Sequence, residues 1–375
     1  MMPAAGTLKY DEKAVSRLRA LYGRYGYSQY RMRKFEEYDL YVRNKSFLIS
    51  DHIITFTEPS GKLMALKPDV TLSIVKNSKD TPGYVQKVYY KENVYRVDRD
   101  SGSFKEITQV GLECVGDIDA YSIFEVLLLA LESLREISDA FVLDISHLGI
   151  VSAVLEGAGV AEEHRAAILR CIGEKNAHGV AALCAAAGVD AGHTASIVKL
   201  VTTYGEPQQV LSALEELPLC DSGRAALGEL RSVLSALEGE APAGSIRIDF
   251  SVINDMNYYN GIVFRGFLEG IPSGILSGGQ YDNLMKKMGK SSGAIGFAVY
   301  PDLLESLSMP QKEYDIDVVL LYGEGCDLSA VRRAVRTITA AGKSVIAQKS
   351  LPGKIKYRQL CRLTESGVET VEEHA

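Results

Sequence analysis

The sequence predicts an α+β protein built around a mostly antiparallel sheet. Three observations support this class. Segments of strand character come in hairpins, a stretch rich in Ala, Leu and Glu interrupts them at about 148–240, and a short strand–helix–strand pattern closes the chain. We therefore expect a core of residues 1–310 that contains the helical insertion, followed by a small α/β fragment of residues 311–375.

Composition and charge narrow the class of protein. Of the 375 residues, 46% are hydrophobic and 24% are charged, which is typical of a folded chain. A formal net charge of −7 argues against a surface that binds nucleic acid, because such binding depends on Lys and Arg. The most apolar stretch, 123–134, is shorter than the roughly 20 residues that cross a membrane, and residues 1–13 do not resemble a signal peptide. We expect a cytoplasmic protein.

The elements before the insertion follow from two periodicities. Apolar residues at every third or fourth position predict helices, and alternation predicts strands. Gly26 ends the first helix, and Pro59 with Gly61 marks the turn of a first hairpin. In order, we predict a helix at 10–25, strands at 27–32, 53–57 and 63–66, a helix at 72–77, hairpin strands at 84–96 and 106–115, and a helix at 120–137.

Strand character returns after the insertion, which the polar run 239–244 closes. A Gly-rich segment, 277–282, then precedes a short helix. In order, we predict strands at 246–250 and 261–267, a helix at 283–288, an apolar segment at 293–307, a strand at 316–322, a helix at 328–341, a strand at 344–347 and a further short helix.

An acid and a hydroxyl stand at the start of a short predicted helix, in the run Pro68-Asp69-Val70-Thr71. Asp69 and Thr71 are residue types that cap helix N-termini, so capping is the first interpretation. The second is that Asp69 points into a pocket, where it would meet the ammonium group of a substrate.

Alternation on the strand after the second hairpin turn puts Gln109, Gly111 and Glu113 on one face, with Val110 and Leu112 on the other. An amide and a carboxylate beside a glycine gap would suit the floor of a site for a small polar ligand. A solvent-exposed polar face would produce the same alternation.

Other sequence features give weaker evidence for a functional site. Tyr258 and Tyr259 open a predicted strand, and core packing explains them without a ligand. The run Ser277-Gly278-Gly279 lacks both GxxxxGK[ST] and GxGxxG, so it does not predict nucleotide binding. No histidine or cysteine stands at metal-ligand spacing, and neither HExxH nor a Ser-His-Asp order is present. We predict no metal, no cofactor and no catalytic residue.

Taken together and in order, these segments resemble the catalytic core of class II aminoacyl-tRNA synthetases, specifically the histidyl enzyme. The likeness covers about 300 residues. It is most detailed in the second hairpin, where Arg96 is followed by Gln109 and Glu113 in the spacing Q-x-G-x-E. The matching segments are the first motif at 10–35, the ammonium-binding segment at 65–77, the second motif at 89–116, the histidine-specific segment at 254–267 and the third motif at 277–304.

The departures from the histidyl enzyme are equally informative. That family carries one arginine for the histidine carboxylate and adenylate where this chain has Asn254, and another for the ATP phosphates where this chain has Leu303. Its GGRYD is GGQYD here, through Gln280. Loss of such cations typically costs a few kcal/mol of transition-state stabilisation each. The resemblance therefore implies an amino-acid pocket that no longer supports adenylation.

This combination is similar to the regulatory-subunit family of ATP phosphoribosyltransferase, which also favours P-D-x-T over the P-E-x-T of the synthetase. The resemblance implies a non-catalytic subunit, required for the first step of histidine biosynthesis, that partners a short-form catalytic subunit and mediates feedback by histidine. It also implies a homodimer within a hetero-oligomer, and no tRNA. The residues it implies for a histidine-like ligand are Asp69, Thr71, Arg96, Gln109, Glu113, Tyr258 and Tyr259.

Two other functions remain open at this point. One is an active histidyl-tRNA synthetase-like enzyme that adenylates an amino acid. The other is a binding or scaffold module that uses the same fold for something unrelated to histidine.

Overall fold

The chain divides into two units, Met1–Leu307 and Ser308–Ala375. The computed structural model describes residues 10–48, 52–98, 101–253, 258–306, 314–351 and 353–374. Up to the insertion, the helices and strands of the first unit are α1 (Tyr10–Arg24), β1 (Ser28–Gln29), β2 (Phe35–Glu37), α2 (Tyr38–Arg43), β3 (Thr55–Thr57), β4 (Leu63–Leu66), α3 (Thr71–Asn77), β5 (Val85–Val97), β6 (Phe104–Gly116), α4 (Ala120–Ile137) and β7 (Phe141–His147).

The insertion and the remainder of the first unit continue from β7. Four inserted helices follow one another without an intervening strand, and a two-residue strand then precedes the last two. In order, the elements are α5 (Leu148–Gly157), α6 (Glu162–Gly173), α7 (Ala177–Ala186), α8 (Ala191–Thr202), β8 (Tyr204–Gly205), α9 (Pro207–Glu215), α10 (Asp221–Ala236), β9 (Ile246–Asp249), β10 (Ile262–Leu268), β11 (Leu276–Gln280), α11 (Asp282–Lys287) and β12 (Gly293–Val299).

A nine-stranded sheet forms the centre of the first unit, in the order β1-β5-β6-β12-β11-β10-β7-β9-β8. Six of its eight neighbouring pairs are antiparallel, and β1 with β5 and β7 with β9 are parallel. A second, three-stranded sheet has the order β2-β4-β3. The predicted α+β class with a mostly antiparallel sheet and a helical insertion is confirmed.

Helices α1 and α4 cover one face of the central sheet. Leu18 and Leu21 of α1 and Leu127 and Leu131 of α4 are buried, as their helical spacing predicts. Full burial of each such side chain contributes about 1.5–3 kcal/mol. Asp119 starts α4, because its side chain accepts a hydrogen bond from the backbone N–H of Ser122 at 2.8 Å. These helices leave the opposite face of the sheet for other contacts.

The second unit differs from the sequence prediction near the C-terminus. Its elements are β13 (Ile316–Leu321), α12 (Leu328–Ala340), β14 (Val345–Gln348), β15 (Tyr357–Thr364) and β16 (Gly367–Glu373). The further short helix that we predicted is wrong, since β15 and β16 form an antiparallel hairpin there.

A β-bulge accounts for this error. Leu360 pairs with Glu372 and Cys361 pairs with Thr370, so Val371 is an extra residue on β16. The consecutive residues Leu360 and Cys361 are both buried. The period-2 alternation that identifies a strand is therefore lost at this point.

The first extended segment is also shorter than predicted. Of residues 27–32, Ser28–Gln29 is strand, and it pairs with β5 rather than with the next strand in sequence. Within the described residues, no helix has the length and apolar character needed to cross a membrane.

Candidate ligand-binding site

One face of the central sheet forms the floor of a cavity of about 580 Å³. Residues two apart on a strand share a face, so the strand register arranges rows of neighbouring side chains across the sheet. From β6 to β10, one row is Glu113, Gly296, Gly279 and Val263, and the next is Gly111, Ala298, Ser277 and Arg265. Small residues in the middle of both rows open the cavity, with Glu113 on one side and Arg265 on the other.

Two of these glycines are required by close packing. A Cβ on Gly296 would lie 1.8 Å from Oε2 of Glu113. A Cβ on Gly111 would lie 2.2 Å from the carbonyl oxygen of Phe297 and 2.6 Å from the hydroxyl of Tyr90. No side chain fits at either position without movement of the neighbouring strand, so the glycines keep Glu113 and Tyr90 at the cavity floor.

Glu113 is buried, with two hydroxyl donors on its carboxyl group. Thr71 donates to Oε1 at 2.8 Å, and Tyr281 donates to Oε2 at 2.5 Å. Burial raises the pKa of Glu113 to about 8, and the two hydrogen bonds lower it only in part. At neutral pH this carboxyl group is mostly protonated, and a cationic group placed beside it would favour its charged form.

Asp69 both caps a helix and lines the cavity. Its Oδ1 accepts a hydrogen bond from the backbone N–H of Leu72 at 2.8 Å, which confirms the capping interpretation for this residue. Thr71 instead directs its hydroxyl to Glu113. Burial raises the pKa of Asp69, while the Leu72 hydrogen bond and the charge of Arg96 oppose the rise. The two interpretations of Asp69 are therefore compatible.

A buried ion pair holds the Asp69 segment in place. Lys67 is 1% exposed and pairs with Glu92 of β5, which is 14% exposed. The carbonyl of Lys67 also accepts a hydrogen bond from the backbone N–H of Tyr95 at 2.9 Å. Both contacts tie the strand before α3 to the long hairpin that supplies the cavity floor.

Aromatic rings form one wall of the cavity. Tyr258 packs edge-on against Tyr259, with ring centroids 4.6 Å apart, and lies 5.7 Å from the ring of Tyr281. A hydrogen bond also joins Tyr258 and Thr71. The wall thus presents hydroxyl groups and ring edges next to Glu113.

The other side of the cavity is cationic. Arg96 donates from Nε to the carbonyl of Pro68 at 3.0 Å, and its buried Nη2 has no hydrogen-bond partner among the described residues. Gln109, 4% exposed, hydrogen-bonds the hydroxyl of Tyr300. Burial raises the pKa of Tyr300, and the positive charges of Arg96 and Arg265 oppose that rise. Arg96 and Arg265 are the cations among the described residues that line this cavity.

All seven residues implied by the resemblance line this one cavity: Asp69, Thr71, Arg96, Gln109, Glu113, Tyr258 and Tyr259. Four further lining residues with large polar or charged side chains were not predicted from the sequence: Tyr90, Arg265, Tyr281 and Tyr300. Tyr281 had a signal, because it follows the Gly-rich strand β11, and Tyr90 shares a face of β5 with Val88 and Glu92. Their placement in the cavity depends on strand register, which the sequence does not supply.

Two of the positions that differ from the histidyl enzyme make contacts outside the cavity. Leu303 packs against the hydrophobic core. Gln280 accepts a hydrogen bond from a backbone N–H of β10 at 2.6 Å and is therefore turned away from the floor. Asn254 lies outside the described residues.

The arrangement suits a small ligand that carries both donors and an anionic group. Carboxyl and hydroxyl groups gather around Glu113 and Asp69, and guanidinium groups lie near Tyr300. Within the part of the chain that the structure describes, no three His, Cys, Asp or Glu side chains come together as a metal site.

The mostly antiparallel sheet, with the long second-motif hairpin within it and the cavity on one of its faces, is the core of a class II aminoacyl-tRNA synthetase. The family model for histidyl-tRNA synthetase matches residues 6–304, and the chain belongs to that family.

Individual relatives of the chain are named as regulatory subunits of ATP phosphoribosyltransferase. The chain is 29% identical over 338 residues to the ATP phosphoribosyltransferase regulatory subunit of Oceanobacillus iheyensis, which covers 88% of this chain and 83% of that protein. A second regulatory subunit, from Acetivibrio thermocellus, is 26% identical over 325 residues, which is 84% of this chain and 77% of that protein.

Solved structures show the same fold. A structure described as an ATP phosphoribosyltransferase regulatory subunit/histidyl-tRNA synthetase from Bacillus halodurans superposes with a TM-score of 0.79 at 22% identity, over 96% of this chain and 99% of that chain. A chain of an ATP phosphoribosyl transferase (HisG:HisZ) complex from Thermotoga maritima superposes with a TM-score of 0.62 at 20% identity, over 79% of this chain and 98% of that chain.

Proposed function

We propose that this chain is a non-catalytic regulatory subunit of ATP phosphoribosyltransferase, the enzyme of the first step of histidine biosynthesis. The observation that carries the proposal is the pairing of a retained amino-acid cavity with substituted adenylation positions. The seven cavity residues lie together, whereas the partly buried Leu303 packs against the core. The names of the relatives from Oceanobacillus and Acetivibrio support the same assignment.

Histidine is the effector that we propose for the cavity. Asp69 provides an acid for the α-ammonium group, beside the hydroxyl of Thr71. Glu113, kept mostly protonated by burial, can donate a hydrogen bond to an imidazole nitrogen, and Tyr258 and Tyr259 supply ring contacts next to it. The effector regulates the enzyme only if it binds one state of the assembly more tightly than another.

The partner in this proposal is a short-form catalytic subunit in a cytoplasmic hetero-oligomer, with this chain as a homodimer and without tRNA. The superposition on a chain of the Thermotoga complex supports a fold suited to such assembly. Sedimentation of the full chain with and without a short-form catalytic subunit from the same source tests it. A faster-sedimenting species that contains both chains supports the proposal, and independent sedimentation at all concentrations contradicts it.

An adenylating enzyme is the second candidate, because the chain belongs to the histidyl-tRNA synthetase family. Adenylation would require cations over the phosphates of ATP, and Leu303, an apolar residue packed against the core, provides none at that position. Histidine-dependent exchange of pyrophosphate into ATP distinguishes the two candidates. Exchange above background would favour the enzyme, whereas its absence is expected for a regulatory subunit.

A further inference from the structure

Arg265 lines the cavity and lies within the histidine-specific segment 254–267, but the resemblance to the synthetase assigns it no role. It stands on β10, three strands away from Glu113 of β6, which is roughly 14 Å at the usual spacing of strands. Its side chain lines the 580 Å³ cavity and also a second cavity of about 830 Å³. The second cavity is lined by parts of the insertion, including Arg165 and Arg170. Arg265 is therefore part of the wall that the two cavities share.

Packing fixes the stem of Arg265. A Cβ on Gly274 would lie 2.7 Å from both Cγ and Cδ of Arg265, and 3.5 Å from its Nε. Gly274 also lines the cavity, so the arginine stem passes directly over a residue without a side chain. A guanidinium group held in this way loses less conformational freedom when it binds an anion.

The guanidinium of Arg265 has one acid, Asp144, nearby but makes no hydrogen bond or ion pair with another of the described residues. Asp144 lies directly opposite on β7 and attracts Arg265 electrostatically. Asp144 is also opposite Arg247 of β9, so it is flanked by two arginines. Tyr259 and Tyr300, both in the cavity, interact with Arg265 as well. The donors of Arg265 remain available for an anionic group in the cavity.

We propose that Arg265 recognises the carboxylate of the amino-acid ligand, together with the unpartnered Nη2 of Arg96. Each guanidinium group carries a planar fork of N–H donors that suits a carboxylate, and the charges of both arginines act on Tyr300 of the cavity. Arg265 thereby supplies a cation to the cavity of a chain whose sequence has Asn254 where the histidyl enzyme has an arginine. This inference rests on the proposed function, because it concerns the same ligand.

The test compares histidine with histidinol, which has the imidazole and the ammonium but no carboxylate. Isothermal titration of the full chain measures the dissociation constant of each ligand for the natural protein and for Arg265→Gln. Loss of a charge-assisted pair should weaken histidine binding about 10- to 100-fold and leave histidinol binding unchanged. Gly274→Ala, which displaces the arginine stem, should cause the same selective loss.

Arg247→Gln is the matched control. Arg247 is exposed and also faces Asp144, but it is absent from the described lining of both cavities. This variant should bind histidine and histidinol as the natural protein does.

Three outcomes contradict the inference in distinguishable ways. If Arg265→Gln weakens both ligands equally or neither, the carboxylate assignment is wrong while histidine binding by the natural protein still supports the proposed function. If Arg247→Gln causes the same selective loss, the effect is one of general charge and not of contact. If the natural protein binds neither ligand, both this inference and the proposed effector are overturned.

Discussion

Glu113 illustrates how a single side chain takes its properties from the strands around it. Gly296 allows its carboxylate to lie against the next strand, and Thr71 and Tyr281 donate to its two oxygens. Burial nevertheless dominates, and the pKa rises from an ordinary 4.5 to about 8. The folded protein therefore holds a proton on Glu113 at pH values where the unfolded chain has released it.

The pH dependence of stability should reveal this proton. Between about pH 4.5 and 8 the folded state binds one more proton at Glu113 than the unfolded state, so stability falls as pH rises. The slope from one such group is at most about 1.4 kcal/mol per pH unit. Urea unfolding of the natural protein and Glu113→Gln at pH 5, 6.5 and 8 measures it.

The difference between the two proteins isolates the contribution of Glu113. Asp144, whose pKa burial raises to about 6, is present in both proteins and cancels. The natural protein should lose more stability than Glu113→Gln as pH increases. Parallel pH profiles would show that Glu113 is already ionised in the folded protein.

The buried pair of Lys67 and Glu92 gives a second prediction about single residues. Lys67→Met would leave Glu92 without its cation in a largely buried position, which should cost about 3–5 kcal/mol in urea unfolding. The double variant Lys67→Met with Glu92→Leu should recover most of that loss. As a control, Lys62→Met removes the exposed pair of Lys62 with Glu37 and should have little effect. Equal effects of the two lysine substitutions would contradict the importance of the buried pair.

At the scale of elements, close contact between β12 and β6 shapes the cavity floor. Gly296→Ala would place a methyl group 1.8 Å from Glu113 and 2.5 Å from the carbonyl oxygen of Leu112. Because both strands lie inside the sheet, we expect a loss of about 1–3 kcal/mol in the free energy of unfolding.

Gly228→Ala provides the matched control for this substitution. Gly228 is an exposed residue within α10, and a Cβ there would have no atom within 4 Å. Alanine should therefore stabilise the helix by about 0.5–1 kcal/mol. If Gly296→Ala is as well tolerated as Gly228→Ala, the strands are farther apart than the structure places them.

The elements also show how far the sequence could predict the site. Alternation identified Gln109 and Glu113 because β6 has one face toward the cavity and one toward the core. Arg265 escaped notice because β10 is largely buried on both faces, so its sequence does not alternate clearly. The C-terminal hairpin was missed because the extra residue Val371 breaks the strand pattern. Register and bulges depend on partners distant in sequence, which local periodicity does not record.

At the scale of the whole molecule, we expect two exposed aromatic side chains of the three-stranded sheet to take part in the proposed homodimer contact. Phe35 of β2 and Phe56 of β3 are 45% and 39% exposed, and their rings meet edge-on with centroids 5.5 Å apart. We expect Phe35→Ser with Phe56→Ser to weaken a homodimer measured by analytical ultracentrifugation, because apolar area would be lost from the contact. Phe104→Ser, at an exposed position on the second hairpin, should leave the dimer unchanged. A natural protein that sediments as a monomer would contradict the expectation of a homodimer.

The family of this chain and the function that we propose for it differ. The fold and the match over residues 6–304 place the chain with histidyl-tRNA synthetases, while the substituted positions Asn254 and Leu303 argue against the reaction of that family. The cavity is the part that both functions would share, because recognition of an amino acid does not require its activation. A subunit that retains recognition alone could report the level of histidine to an enzyme that lacks its own sensor.

The most direct test of this account is the formation of phosphoribosyl-ATP by a short-form catalytic subunit from the same source. The rate is measured with and without this chain, across a titration of histidine. The account predicts that the chain raises the rate and makes it fall as histidine increases. A rate that responds neither to the chain nor to histidine in its presence would contradict the account.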